Sequence, residues 1–405
     1  MKILLVCHYF PPEIGAPQAR LSETAKVWAE GHDVQVLTGF PNHPTGVVHE
    51  GYRGRRSMSE EVDGYSVERT WVYATPNEGL VKKTLGHLSF MLSGIVLGWR
   101  RLKRPDVVVV SSPTFFSILT AWVIAKRFRV PLVVEVRDLW PGIFVDLGVL
   151  TNKPIIWLLE RLELAAYRAA ALVVVVTEGF KDDLVSRGIA SEKVEVITNG
   201  VDLERFSPGD PDSATRSALG AGKDEVLVAY IGAHGISHGL ETLIDAAALG
   251  GPLTKFAFVG EGAAKQSLIE YAELNRATNV SFHPGVPREA VPVLLRSSDI
   301  LIVPLRNLPL FSSFIPSKMF EFMATEVAVI GAVTGEPAAI LSQAGAVVVP
   351  PEQPEVLGAT IARLASNPTE RAERAAEARR YVEKNYDRSQ IALDYVQCLE
   401  RLTDG

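Results

Sequence analysis

Cysteine is scarce. The 405 residues contain two, Cys7 and Cys398, in no spacing that suits a disulfide framework or a thiolate metal site. Such usage fits a reducing cytoplasm, and no bound metal is expected. Long apolar runs are missing as well, since no stretch reaches the roughly 18 residues that mark a membrane span. The opening "MKILLVCHYFPP" meets His8 and two prolines too early for a signal-peptide core and lacks a small-residue cleavage site, so it reads as a first β-strand. Basic charge is not in excess: 41 Lys and Arg stand against 47 Asp and Glu, for a net charge of −6. That balance excludes a general nucleic-acid binder. No short-period repeat or low-complexity tract is present, which removes solenoids and disordered arrays.

What the chain does have is core-forming material, with 47% hydrophobic and 22% charged residues. Short runs rich in Val and Ile recur at helix-sized intervals: "KILLV", "DVQVLT", "DVVVVS", "PLVVEV", "ALVVVV" and "VEVIT". Unbroken rather than alternating runs suit parallel strands covered on both faces. Between them lie helical stretches such as "APQARLSETAKVWAEG", with Pro17 placed for a first turn and Gly31 for a stop. A linker rich in Pro, Gly, Ser and Asp follows Asn199-Gly200. The strand pattern then restarts with "VLVAYIG", "KFAFVG", "NVSFHPG", "DILIVP", "VAVIG" and "AVVVP". The reading is α/β, with two doubly wound Rossmann-like lobes facing across a cleft. Residues 1–205 form the first lobe, 206–380 the second, and 381–405 a helix returning to the first. Ligands in such sheets bind beyond the C-terminal ends of the strands.

Several loops at those ends carry candidate chemistry. Gly15, between the first strand and first helix, is either an anion-approach point or a tight turn. Gly232, Gly235 and Gly239 bracket His234 and His238 ahead of a helix near Leu240, where cations and free amides suit a phosphate. "FVGEGAAKQSL" is a loose glycine loop short of the full dinucleotide fingerprint. Pro284-Gly285 turns at a strand end beside Val286. The most specific stretch is "FIPSKMFEFMA". A helix beginning near Pro316 leaves its first amides free and its positive end outward. Ser317 and Lys318 then present a hydroxyl and an ammonium, and Glu321, an acid among apolar neighbours, can accept two hydrogen bonds from a ribose diol. The plain alternative is a surface pair of Lys318 and Glu321 three apart. In the first lobe, "VVEVRDLWPGIF" places Arg137 and Asp138 at a strand's C-terminal edge, as site residues or as a salt bridge closing that edge.

Taken together, "HYFPPEIGAPQARLSETAKVWAEGHDVQVLTGFPNHPTG", "VRDLWP", "VITNGVDLERFSP", "GAHGISHGLETLIDAA", "FVGEGAAKQSL" and "IPSKMFEFMA" resemble glycosyltransferase family 4, the retaining transferases of GT-B fold. The resemblance is nearest to the branch serving surface polysaccharide assembly, which includes N-acetylfucosamine-type enzymes. It implies a metal-independent transfer of a sugar from a nucleotide-diphosphate donor, expected to be a UDP-sugar, to an acceptor hydroxyl. The acceptor would be a lipid-linked saccharide or a small molecule. By the resemblance Glu321 holds the ribose. The amides around Ile315 to Lys318, in the turn that holds Pro316 and Ser317, with Gly15 opposite, lie near the diphosphate and donor sugar, and Gly285 and Val286 face the base. Lys318, Arg137 and Asp138 are the expected catalytic groups, with His234 and His238 protonated to offset charge on the leaving group. Three departures stand out. Ser313 replaces a second glutamate, the two histidines stand in for an Arg and a Lys, and Arg137 or Asp138 takes the place of a histidine. The rivals are a nucleotide-sugar 2-epimerase and a non-catalytic sugar-nucleotide-binding partner of the same architecture.

One further segment bears on location. Residues 82–104 carry six basic residues and no acid, with an apolar stripe at 85, 88, 92, 95 and 99. Either this helix lies at the inner face of a membrane, with its cations near anionic headgroups, or the stripe packs on the first sheet.

Overall fold

Each Val- and Ile-rich run forms a strand in the computed structural model. It describes the chain apart from residues 14, 44, 76–79, 113–114, 143–144, 146–147, 149 and 404–405, and for residues 16, 80, 81, 83 and 99 describes the backbone alone. Lys83 and Trp99 of the basic segment therefore have side chains outside the described part.

The first unit comprises Met1–Thr198 and Ser389–Gly405. Its strands are β1 (Lys2–Val6), β2 (Asp33–Gly39), β3 (Ser57–Val62), β4 (Tyr65–Thr70), β5 (Val107–Ser111), β6 (Leu132–Val136), β7 (Leu172–Val175) and β8 (Val194–Val196), in the order β3-β4-β2-β1-β5-β6-β7-β8. All pairs are parallel except β3 with β4. Because side chains alternate across a strand, the sheet feeds two cores. Leu4, Val6, Val108, Val110, Val134 and Val136 face one layer of helices. Ile3, Leu5, Val107, Val109 and Val133 face the other, where Leu21, Ala25 and Trp28 of helix Ala16–Ala29 meet Tyr395 and Leu399 of the C-terminal helix.

The hairpin β3–β4 was not visible as an apolar run. Its edge strand "SMSEEV" is only partly covered, and the turn is set by Asp63 (φ 46°) and Gly64 (φ 85°), a two-residue Asp-Gly loop suited to the strands' twist.

The second unit spans Asn199–Arg388. Its strands are β9 (Val226–Ile231), β10 (Thr254–Val259), β11 (Val280–His283), β12 (Ile300–Pro304), β13 (Ala328–Ala332) and β14 (Val347–Val349), all parallel, in the order β11-β10-β9-β12-β13-β14. The order reverses between β9 and β12, as it does between β1 and β5 in the first unit, so each sheet has one topological switch point.

The units divide at 198/199 and 388/389, where the sequence reading placed 205/206 and 380/381. The cause is a tie between linker and tail: Val201 N donates to Tyr386 O at 2.9 Å and Arg388 N to Val201 O at 3.0 Å. That tie also splits the helical tail into Pro368–Asn385, which stays with the second unit, and Arg388–Thr403. The latter is fixed to the first unit by Trp28 Nε1 donating to Ala392 O at 2.9 Å and by an edge contact of Trp28 with Tyr395 at 5.1 Å.

Candidate active site

In the second unit, loops leaving β9, β10, β11 and β12 lie side by side at the C-terminal edge and are stitched together through the backbone. Gly232 N donates to Val259 O (2.9 Å), Gly260 N to His283 O (3.2 Å), His234 N to Glu261 O (2.9 Å) and Arg306 N to Ser237 O (2.9 Å). The Glu261 carboxylate accepts from Gly285 N at 3.3 Å, which fixes the turn before Val286. At Gly260, φ is +151° and an added Cβ would fall 1.9 Å from Gly232 O, so only glycine allows this approach.

The helix of the "FIPSKMFEFMA" stretch starts at Lys318, two residues later than expected, with Met319 N on Pro316 O and Phe320 N on Ser317 O as its entry bonds. Ile315 and Pro316 are buried, and the Ser317 hydroxyl makes no capping bond. Ser313 Oγ donates to Leu310 O at 3.4 Å. Lys318 Nζ donates to the Tyr230 hydroxyl at 2.8 Å and lies 4.2 Å from the centre of that ring. It also abuts Gly232, where a Cβ would come within 2.6 Å of Nζ. Burial lowers its ammonium to about 7, and Glu321 only partly opposes this. Glu321 pairs with Arg288, Oε1 to Nη2 at 3.4 Å, rather than with Lys318. Burial raises its carboxyl while Arg288, Lys318 and Arg205 pull it down. The surface-pair alternative is therefore set aside.

Tyr230 and Arg288 were missed in the sequence. A tyrosine inside the apolar run "VLVAYI" and an arginine three residues past Gly285 were the signals.

The histidines correct an expectation. His234 is fully buried among Tyr230, Phe258 and Phe282, with neither ring nitrogen bonded, and burial followed by Lys265 lowers it to about 4. His238 Nδ1 sits 3.3 Å from Pro304 O, and burial followed by Lys318 also brings it to about 4. Both are neutral at pH 7 in the free chain, so positive charge at this edge comes from Lys318 and from Arg288, which Glu321 pairs.

In the first unit, Gly15 precedes the first helix, and a Cβ there would lie 2.3 Å from Gln18 Oε1. The buried Glu13 carboxylate, not anticipated, accepts from Phe10 N (3.1 Å), Asn42 N (2.8 Å) and His43 N (2.8 Å), joining "HYFPPE" to "FPNH". Past β6, Arg137 pairs with Glu135 at 3.7 Å. Glu135 is gripped by both Arg20 nitrogens, at 2.6 and 2.9 Å. Burial works against the Glu135 charge, yet Arg20 and Arg137 hold it at about 2. Burial and Arg20 lower Arg137 to about 9, and burial raises Asp138 against the pull of Arg137. Among the described residues, no group of three or more His, Cys, Asp and Glu is placed to hold a metal.

Residues 15–200 match the "Glycosyl transferase 4-like domain" family and residues 212–382 the "Glycosyl transferases group 1" family. This chain is a family 4 glycosyltransferase. WcaI of Escherichia coli K12, named for colanic acid biosynthesis glycosyl transfer, is 27% identical over 98% of the transferase and 99% of its own length. Two solved structures share the GT-B fold. Sucrose-phosphate synthase of Thermosynechococcus elongatus has a TM-score of 0.75 at 18% identity, covering 99% and 98% of the two chains. Anabaena HepE, in complex with UDP and glucose, has 0.73 at 17%, covering 99% and 100%. The epimerase reading finds no support, since both matched families and WcaI are glycosyl transferases by name.

Proposed function

We propose that the transferase moves a sugar, with retention of anomeric configuration, from a UDP-sugar to the hydroxyl of a saccharide acceptor in surface polysaccharide assembly. The observation that carries this is the pair of half-buried ionic groups at the mouths of β9 to β12, Lys318 on Tyr230 and Glu321 on Arg288. A buried charge is costly unless a partner completes it. Here a diphosphate would complete Lys318, and ribose hydroxyls would complete Glu321. UDP and UDP-glucose in the HepE structures support the choice of base, and the name of WcaI supports the acceptor class.

In this reading, charge developing on the departing diphosphate is offset by Lys318 and the amides of Ile315, Ser317 and Lys318, with Val286 at the base. His234 and His238 line the donor pocket as neutral rings. Arg137 and Asp138 stand at the acceptor side, and attack proceeds on the face the leaving group vacates, the diphosphate taking the acceptor proton. No step requires a metal, so chelators leave the rate unchanged.

The test is a screen of sugar nucleotides for thermal protection, followed by NMR of the product's anomeric configuration. An α-linked donor giving a β-linked product would refute retention. Release of a free epimerised sugar nucleotide would refute transfer.

A further inference from the structure

Helices Leu80–Val96, Phe115–Phe128 and Lys153–Ala169 cover one face of the first sheet and enter the same core through Phe90, Ile118, Ile124 and Tyr167. Their outer sides form an apolar wall. In the first helix the stripe points away from the sheet: Leu85 and Leu92 are exposed, and Leu88 and Ile95 are half-buried. The inward side is Phe90, Met91, Ser93 and Gly94. A Cβ on Gly94 would sit 3.1 Å from Thr120, so small residues bring the two helices together and the apolar stripe is left over. The second helix exposes Leu119 and Trp122, and the third Ile155, Trp157, Leu158 and Leu162. With Val96 these make nine of the nineteen large apolar side chains exposed among the described residues. A concentration of this kind marks an interaction surface.

The wall is also basic. The second helix has no acid and ends in Lys126 and Arg127, with Arg129 beyond. Lys126 lies over the Trp122 ring at 5.9 Å and Arg161 over Trp157 at 5.1 Å. Exposed indoles beside cations match the boundary between hydrocarbon and anionic headgroups. No helix among the described residues is long and apolar enough to cross a membrane.

We infer that this three-helix wall docks the protein on an anionic phospholipid bilayer. The surface extends well beyond residues 82–104, and the inference stands apart from the donor chemistry proposed above.

The experiment is flotation of the full chain with phosphatidylglycerol/phosphatidylcholine vesicles and with phosphatidylcholine alone. Binding to the anionic vesicles, weakened by salt and accompanied by a blue shift in tryptophan emission, is the expected result. Leu92→Glu with Trp157→Glu should abolish it. Lys126→Glu with Arg161→Glu, which spares the apolar contacts, should lower the partition coefficient about tenfold or more. Leu393→Glu, exposed on the opposite side of the unit, should bind as wild type. Circular dichroism establishes that each variant is folded, and donor turnover in solution reports separately on the site. Absence of anionic-vesicle binding in the wild type overturns the inference. So does a dimer, seen by light scattering, that Leu92→Glu with Trp157→Glu dissolves while vesicles have no effect.

Discussion

Raising the pH from about 6.5 to about 8.5 should weaken binding of the donor steeply, because burial holds Lys318 at about 7. Roughly three quarters of the molecules carry the ammonium at the lower pH and roughly 3% at the higher. A diphosphate against Nζ lifts the lysine back toward its ordinary range in the complex, so affinity follows the protonated fraction of the free chain. The loss is about 25-fold, or ~1.9 kcal/mol. His234 and His238, both at about 4, stay neutral across this window and add no slope of their own. Calorimetric titration with the UDP-sugar that gives most thermal protection, run in buffers of different ionisation enthalpy, should show uptake of nearly one proton at about pH 8.5. Lys318→Met should bind weakly and without the slope. Stability supplies a control with the opposite sense. A lysine lowered from 10.5 to about 7 on folding penalises the folded state fully below 7, and the penalty fades as pH rises from there to 10.5. Lys318→Met should therefore raise the melting temperature at about pH 6.5 and gain less at alkaline pH. A wild-type affinity that does not change with pH, or a slope that survives in folded Lys318→Met, refutes the reasoning.

Glu321→Gln keeps the shape but removes the charge from the ribose contact, so the dissociation constant for the donor should rise about tenfold to a hundredfold in the same titration. Gly260→Ala should destabilise the second unit by at least ~2 kcal/mol in urea denaturation, since the methyl meets Gly232 O at 1.9 Å. Arg20→Met leaves Glu135 buried without its main partner and should cost about 3–5 kcal/mol. In the wild type that carboxylate, at about 2 instead of 4.5, contributes about 3 kcal/mol above pH 4.5 that is lost as pH falls toward 2. Acid unfolding followed by circular dichroism should show this part of the curve flattened in Arg20→Met.

The parallel strands were readable because each is covered on both faces and so is spelled as a continuous apolar run. β3 escaped because its residues are half in water, and only Asp63-Gly64 betrayed the hairpin. Within the site, Lys318 and Glu321 announced themselves as charges in an apolar helix. Their partners did not, because Tyr230 and Arg288 come from 88 and 33 positions upstream, and the tertiary fold alone brings them to the same edge. The histidines show the converse limit. Residue type set an expectation near 6.5, and enclosure by Tyr230, Phe258 and Phe282 moved His234 far below it.

The last helix completes a core that the first 198 residues begin. Ribosomes add about 5–20 residues per second, so the 190 residues from Asn199 to Arg388 separate the two parts of the first unit by roughly 10–40 s of synthesis. Throughout that interval Trp28 has neither the Ala392 carbonyl nor the Tyr395 ring, and the sheet face it belongs to is open. The second unit, continuous in sequence, can close first. The first unit thus emerges early and matures last, and a nascent chain halted before residue 389 should present that uncovered face to chaperones.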